Sequence, residues 1–255
     1  MNLSTLSLIE REKLFKTLRI SITHHSNALE GTTLTFGETK TLLEKGQTAS
    51  NKRLDEQLII LGFADAYDVI IREANDKSKI LDSFFIKDLH YIIFSKALEV
   101  TPEFVRKPIG AYRIDNAKIN KVDISLSNPS KISQELDNLL FRLKSNNMTL
   151  EHIAEFHAEF EKIHPFSDGN GRIGRLVMAF QCIQNDMIPP LIESKYRTEY
   201  LDNLYKAQTS NDFTQLSKFL EFCQNRSLNL IDKNNTLSLV DDAKNSRETN
   251  SYKPH

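Results

Sequence analysis

His164-Pro165-Phe166-Ser167-Asp168-Gly169-Asn170-Gly171-Arg172-Ile173-Gly174-Arg175 is the stretch that decides the reading of this chain. An apolar periodic segment ends near Ile163. Pro165, Gly169 and Gly171 then turn the chain sharply, and the pattern predicts a new amphipathic helix from about Arg172. Gly169, Asn170 and Gly171 therefore fall at a helix N-terminus, where backbone N–H groups lack partners and the dipole is positive. Glycines there let an anion come close to the backbone. Arg172 and Arg175 are three apart on the predicted helix and can both face the loop. Their planar guanidinium forks suit phosphate oxygens. Asp168 is a hard oxygen ligand of the kind Mg²⁺ prefers beside a polyphosphate. His164 titrates near neutrality and can take a proton from an attacking hydroxyl. Each feature has a bland alternative: a plain turn, a capping aspartate, a solvated pair of arginines. All of them within twelve residues predict a phosphoryl- or nucleotidyl-transfer site.

Working outward, the neighbouring segments carry helical spacing. Ile153, Phe156, Phe160 and Ile163 predict the helix before the loop. Ile173, Leu176, Val177, Phe180 and Ile183 predict the one after it, stopped ahead of Pro189-Pro190. Phe84, Phe85, Leu89, Ile92 and Ile93 predict another, and Ile132, Leu136, Leu139, Leu140 and Leu143 a further one. In the N-terminal part, Leu54, Leu58, Leu61 and Ala64 continue the pattern, with a break near Gly46. One segment departs from it. From Tyr112 to Leu126 the apolar residues alternate (Val122, Ile124, Leu126) around Asp115-Asn116, which predicts a short β-hairpin. The expected fold is an all-α helical bundle with a small β-hairpin flap. The expected divisions are an N-terminal helical region at 1–79, a catalytic core at 80–227 and a polar, flexible tail at 228–255.

Composition narrows the function classes. The 255 residues are 40% apolar and 26% charged, with a formal net charge of -1, an ordinary globular profile. No broad basic face is implied, so nucleic acid is not an expected partner. No stretch approaches the roughly 18 apolar residues that cross a bilayer, and the first ten residues do not read as a secretory signal. A cytoplasmic protein with no membrane partner is the expectation. Cys182 and Cys223 read as ordinary thiols. His152, His157 and His164 lie five and seven apart, which does not place them on one helix face as metal ligands.

The twelve-residue string resembles the Fic motif, HxFx[DE]GNGRxxR, at every specified position. The resemblance implies a helical bundle with a hairpin flap, and an ATP-using protein adenylyltransferase. His164 would be the base toward a Ser, Thr or Tyr hydroxyl of a target protein, which attacks the α-phosphorus as pyrophosphate leaves. Asp168 would bind Mg²⁺ bridging the α- and β-phosphates. Gly169, Asn170 and Gly171 would form the anion hole, Arg172 would hold the β-phosphate and Arg175 the γ-phosphate. Phe166 would anchor the loop. The related Doc kinases carry lysine at the position of Gly171, so glycine there favours AMP transfer. Gly110-Ala111-Tyr112-Arg113 resembles the family's lead into the flap, whose working edge would be Ala117, Lys118, Ile119 and Asn120, pairing with the target's backbone. Tyr200 is the first candidate beside the adenine, Tyr196 the second, and Gln208 a ribose contact. His157 would pack under the loop, with His24 and His25 as surface or partner contacts.

Ser26-Asn27-Ala28-Leu29-Glu30-Gly31 reads by itself as a helix end, with Gly31 at C′ and Ser26 and Glu30 as a local pair. Beside the motif it resembles the family's inhibitory signature [ST]xxxE[GN]. That implies an autoinhibited enzyme whose Glu30 pairs in a bidentate way with Arg175 and competes with the γ-phosphate. Self-modification and a homo-oligomer are compatible with the family. A phosphotransferase, a de-AMPylating hydrolase and a non-catalytic nucleotide-sensing module are the alternatives.

Overall fold

The computed structural model describes residues 2–118, 124–143 and 147–230. Nine helices account for most of these. They are α1 (Leu8–Leu29), α2 (Phe36–Lys45), α3 (Leu54–Asn75), α4 (Ser83–Val100), α5 (Ile132–Arg142), α6 (Leu150–Ile163), α7 (Asn170–Gln184), α8 (Arg197–Ser210) and α9 (214–230). Their starts follow local chemistry. Ser7 accepts from the Glu10 N–H while the Glu10 carboxylate accepts from Ser7, a reciprocal cap on α1. Thr35 with Glu38 does the same for α2, and Gly46 ends that helix in the left-handed region, at the expected break.

The long helix α3 packs against α1, α4 and α7. Gly62 makes the α3–α4 contact possible, because a Cβ there would lie 2.3 Å from the Ile93 carbonyl oxygen. Leu14 and Leu18 of α1, Phe63 and Ile70 of α3, and Ile86, Leu89 and Ile93 of α4 share one core with Phe160, Ile173 and Phe180. Residues on both sides of position 79 thus bury into the same apolar interior. A second cluster joins Ala158, Met178 and Cys182 to Tyr200, Leu204, Leu216 and Leu220. Helix α7 lies between the two clusters and is buried from Arg172 through Ile183. That is why its sequence is apolar beyond one face, and why its two arginines sit inside the protein.

Within the predicted α4 stripe, Phe85 is buried while Phe84 is 73% exposed, since adjacent residues on a helix diverge by about 100°. Helix α9 runs to 230, past the predicted start of the tail, and Leu228 and Leu230 pack on the main core. Positions 231–255 lie outside the described residues. Around the expected flap, residues 112–118 and 124–126 carry no strand, and Ile119, Asn120 and Val122 lie outside the described residues. Cys182 and Cys223 are free and buried. No described helix is long and apolar enough to cross a membrane.

Candidate active site

Helix α6 ends at His164, which adopts the left-handed conformation (φ 51°, ψ 60°) and donates its N–H to Phe160 O at 2.9 Å. A side chain other than glycine costs about 1–3 kcal/mol there. Arg113 holds the turn in place. Its Nε donates to His164 O at 2.7 Å, Nη1 to Asp115 O at 2.8 Å, and Nη2 to Ser127 O at 2.5 Å and Ile163 O at 3.4 Å. Its backbone N–H donates to Pro165 O at 2.9 Å. A buried cation thus sits on the carbonyl end of α6, where the dipole is negative. The Gly110–Arg113 landmark acts structurally through this arginine.

The His164 ring is oriented by its other end. Nδ1 lies 3.2 Å from Glu161 O, and a carbonyl only accepts, so Nδ1 carries the proton. Nε2 keeps its lone pair. Burial pushes the imidazole below its ordinary value, which keeps it neutral at pH 7.

Phe166 is fully buried and stacks on His90, with ring centroids 4.0 Å apart and planes at 13°. Asn170 clamps it, accepting from the Phe166 N–H at 2.9 Å and donating to Phe166 O at 2.8 Å. His90 Nε2 donates to Asp168 O at 3.0 Å while Nδ1 accepts from the Gly110 N–H at 2.9 Å. Burial holds His90 near 4, so it is neutral and in one tautomer. His90 therefore couples the flap's approach to the motif loop. Nothing in the local sequence pattern marks it.

Gly169 (φ 79°) precedes α7, and no side chain caps that helix start. Asn170 spends its side chain on the loop, so it offers an anion its backbone N–H alone. Asp168 Oδ1 accepts from the Gly169 N–H at 2.6 Å and from Arg172 Nη2 at 3.0 Å. The Asp168 side chain is 41% exposed and that of Arg172 only 6%. Arg172 lies over the Phe94 ring at 4.9 Å, and its buried Nε has no partner among the described residues. An unpartnered guanidinium N–H beside an uncapped helix start is chemically suited to an anion. Asp168 fits Mg²⁺ in one respect: such ions take one or two carboxylates and complete their shell with phosphate oxygens and water. The described residues hold no cluster of three or more ligating side chains. His152 caps its own helix, accepting from the Thr149 N–H at 3.0 Å. His157 instead meets the Tyr200 hydroxyl at 2.6 Å.

Arg175 is 7% exposed and reaches across to α1. Nη2 donates to Glu30 Oε1 at 2.6 Å and to Ser26 O at 2.9 Å, and Nε donates to Ser26 Oγ at 2.9 Å. The expected ion pair is present, but through one carboxylate oxygen rather than two. Ser26 takes the Nε donor that a bidentate geometry needs. Burial opposes the charge on Glu30, yet Arg175 and Arg172 bring its carboxyl below the ordinary range. Burial likewise opposes the Arg175 charge, and Glu30 raises it. A Cβ on Gly171 would lie 2.3 Å from Glu30 Oε1, so the carboxylate rests against the first turn of α7.

The end of α1 is fastened to the segment before α8. Arg197 Nε donates to Leu29 O at 3.0 Å, and His25 Nδ1 accepts from the Ser194 N–H at 3.2 Å. Burial holds His25 near 4. His24 Nδ1 lies 3.2 Å from Thr39 Oγ1. These two histidines, expected as surface or partner contacts, are half-buried and make contacts within the chain. Tyr200 is 2% exposed, with its ring beside Phe219 in the second core. Gln208 Nε2 donates to Ala158 O at 3.2 Å, and Tyr196 packs on Phe222. Tyr200 and Gln208 are thus buried, whereas Tyr196 is half-buried against the exposed Phe222. Ala117 is half-buried and Lys118 exposed.

Known proteins resemble this chain in sequence and fold. Residues 80–182 match the Fic/DOC family model. "Protein adenylyltransferase Fic" of Aedes aegypti is 26% identical over 211 residues, covering 81% of this chain and 40% of that protein. The protein of the same name from Nematostella vectensis is 25% identical, covering 80% of this chain and 47% of its own length. The chain thus spans less than half the length of these curated relatives. A Fic-domain-containing signalling protein from Bacteroides thetaiotaomicron superposes with a TM-score of 0.79 at 26% identity, covering 90% of this chain and 92% of that one. Fic-1 of Caenorhabditis elegans shares the fold, with a TM-score of 0.76 at 20% identity over 91% of this chain and 68% of that one. Motif, helical bundle and relatives converge on residues 80–182, the segment that matches the Fic/DOC family model.

Proposed function

We propose that this chain transfers AMP from ATP to a Ser, Thr or Tyr hydroxyl of a target protein, and that Glu30 restrains it. The observation that carries the reading is one constellation. The free Nε2 of His164 stands one short loop from an uncapped helix start, and Glu30 rests on that start in a pair with Arg175. Relatives named protein adenylyltransferase support the reaction class.

In the proposed reaction His164 Nε2 accepts the hydroxyl proton. The hydroxyl oxygen forms a bond to the α-phosphorus, the bond from that phosphorus to the α–β bridging oxygen breaks, and pyrophosphate leaves. The N–H groups of Gly169, now on Asp168 Oδ1, and of Asn170 and Gly171 would face the phosphates, with Arg172 on the β- and Arg175 on the γ-phosphate. Asp168 would hold Mg²⁺, which supplies charge neutralisation to the polyphosphate when bound. The edge at Ala117, Lys118, Ile119 and Asn120 would receive the target backbone. A γ-phosphate and Glu30 compete for the same guanidinium, so the carboxylate acts as a brake.

Product analysis tests this. Glu30→Gly incubated with ATP, Mg²⁺ and cell lysate is expected to release pyrophosphate as label enters protein from α-labelled ATP. ADP with label from γ-labelled ATP would make the chain a phosphotransferase, and binding without transfer would make it a nucleotide sensor.

A further inference from the structure

Three hydrogen bonds hold the Arg175 guanidinium from α1, to Ser26 O, Ser26 Oγ and Glu30 Oε1, and the Tyr200 hydroxyl is a further hydrogen-bonding neighbour from α8. A nucleotide that displaces this end of α1 meets an arginine that has lost its three α1 bonds and keeps Tyr200. A neighbouring group on α6, which the proposed reaction does not use, can replace them. Glu161 is 7% exposed, and its Oε1 has no hydrogen-bond partner among the described residues. It lies against α7: a Cβ on Gly174 would be 2.7 Å from Glu161 Oε1 and 2.9 Å from His157 Nδ1. His157 continues to the Tyr200 hydroxyl at 2.6 Å. The charge of Arg175 acts on both Glu161 and Tyr200. A buried carboxyl oxygen without a partner is costly, and a second state that supplies one accounts for it.

We propose that Glu161 is a positioning residue for the nucleotide, its carboxylate holding the Arg175 guanidinium from the α6 side once α1 lets go, with His157 and Tyr200 bracing it. The assignment rests on Arg175 as the γ-phosphate ligand. The charged and titratable neighbours favour the exchange. Burial pushes the Glu161 carboxyl up to about 8, Arg175 opposes that rise and Glu30 adds to it. His157 stays neutral. When Glu30 withdraws, one negative neighbour is removed and Glu161 ionises more readily. Arg175 thus exchanges one carboxylate for another and keeps its aim.

The test is calorimetric titration of ATP and of ADP, each with Mg²⁺, into Glu30→Gly and Glu30→Gly/Glu161→Gln. Glutamine keeps the volume and loses the charge. ADP lacks the γ-phosphate and reports on the rest of the site. The expected result is an ATP Kd raised about tenfold by loss of a charge-assisted contact, with the ADP Kd changed less than about twofold. Glu161→Asp in the same background recovers part of the loss. Equal weakening of both nucleotides, or no change in either, overturns the assignment. If Glu30→Gly alone binds neither nucleotide, the nucleotide reading of the site fails first and this assignment goes with it.

Discussion

Replacing His90 by phenylalanine separates the packing of the motif loop from its hydrogen bonding. The ring that stacks on Phe166 at 4.0 Å is kept. Two bonds are lost, from Nε2 to Asp168 O at 3.0 Å and from the Gly110 N–H to Nδ1 at 2.9 Å. A buried backbone group left without a partner costs about 1–3 kcal/mol. Two such groups bound the loss at about 2–6 kcal/mol, and the lower end is expected because half-exposed Asp168 admits water. A loss of 2 kcal/mol lowers Tm by about 4–8 °C in a chain of this size. Urea denaturation with AMP-transfer assays in the Glu30→Gly background reads both effects. His90→Gln, with one donor and one acceptor, should recover part of the stability and of the transfer rate. A His90→Phe protein within about 0.5 kcal/mol of its parent and fully active would mean that these two bonds do not hold the loop, because surface-like substitutions alone give changes that small.

Three further outcomes follow from the same geometry. Glu30→Gly removes a charge-assisted bond to buried Arg175, so stability should fall by about 1–3 kcal/mol while transfer rises; a rise in both would argue against a structural pair acting as a brake. Gly174→Ala places a Cβ 2.7 Å from Glu161 Oε1 and should cost about 1–3 kcal/mol by overpacking the α6–α7 contact, a shift that a thermal melt would register or deny. Burial holds His25 and His90 near 4 and His157 near 3, against an ordinary value of 6.5. The unfolded chain binds these protons as pH falls through about 6.5 and the folded chain does not. Stability should therefore be full above that pH and fall below it, by up to about 1.4 kcal/mol per pH unit for each histidine; urea midpoints that stay flat between about pH 7 and 5 would contradict this.

The motif loop was legible because its chemistry is contiguous. Twelve residues contain the turn, the helix start and both arginines, and local rules are enough to place them. The Arg175–Glu30 contact spans 145 positions and was legible only through the family's inhibitory signature. Even so, the expected bidentate geometry missed the competing claim of Ser26, which depends on how α1 is rotated. His90 escaped notice because its partners are backbone groups at positions 110 and 168, which no side-chain pattern encodes. Tyr200 shows the converse problem. It was expected beside the adenine from the family's aromatic in the helix after Pro190, and helix rotation turns its ring into the second core, where it meets His157. The flap lies partly outside the described residues, and its sequence signals were alternation over three positions, the turn-formers Asp115-Asn116 and the resemblance of Gly110–Arg113 to the family's lead into it.

The central claim is that His164 drives AMP transfer and Glu30 withholds it. Intact-mass analysis of wild type, Glu30→Gly and Glu30→Gly/His164→Ala after incubation with ATP and Mg²⁺, with lysate supplying targets and self-modification read on the chain itself, tests it most directly. An AMP adduct is expected on the chain or a target with Glu30→Gly, little or none with wild type, and none once His164 is also changed. Equal adduct in all three proteins, or adduct that survives His164→Ala, would contradict it.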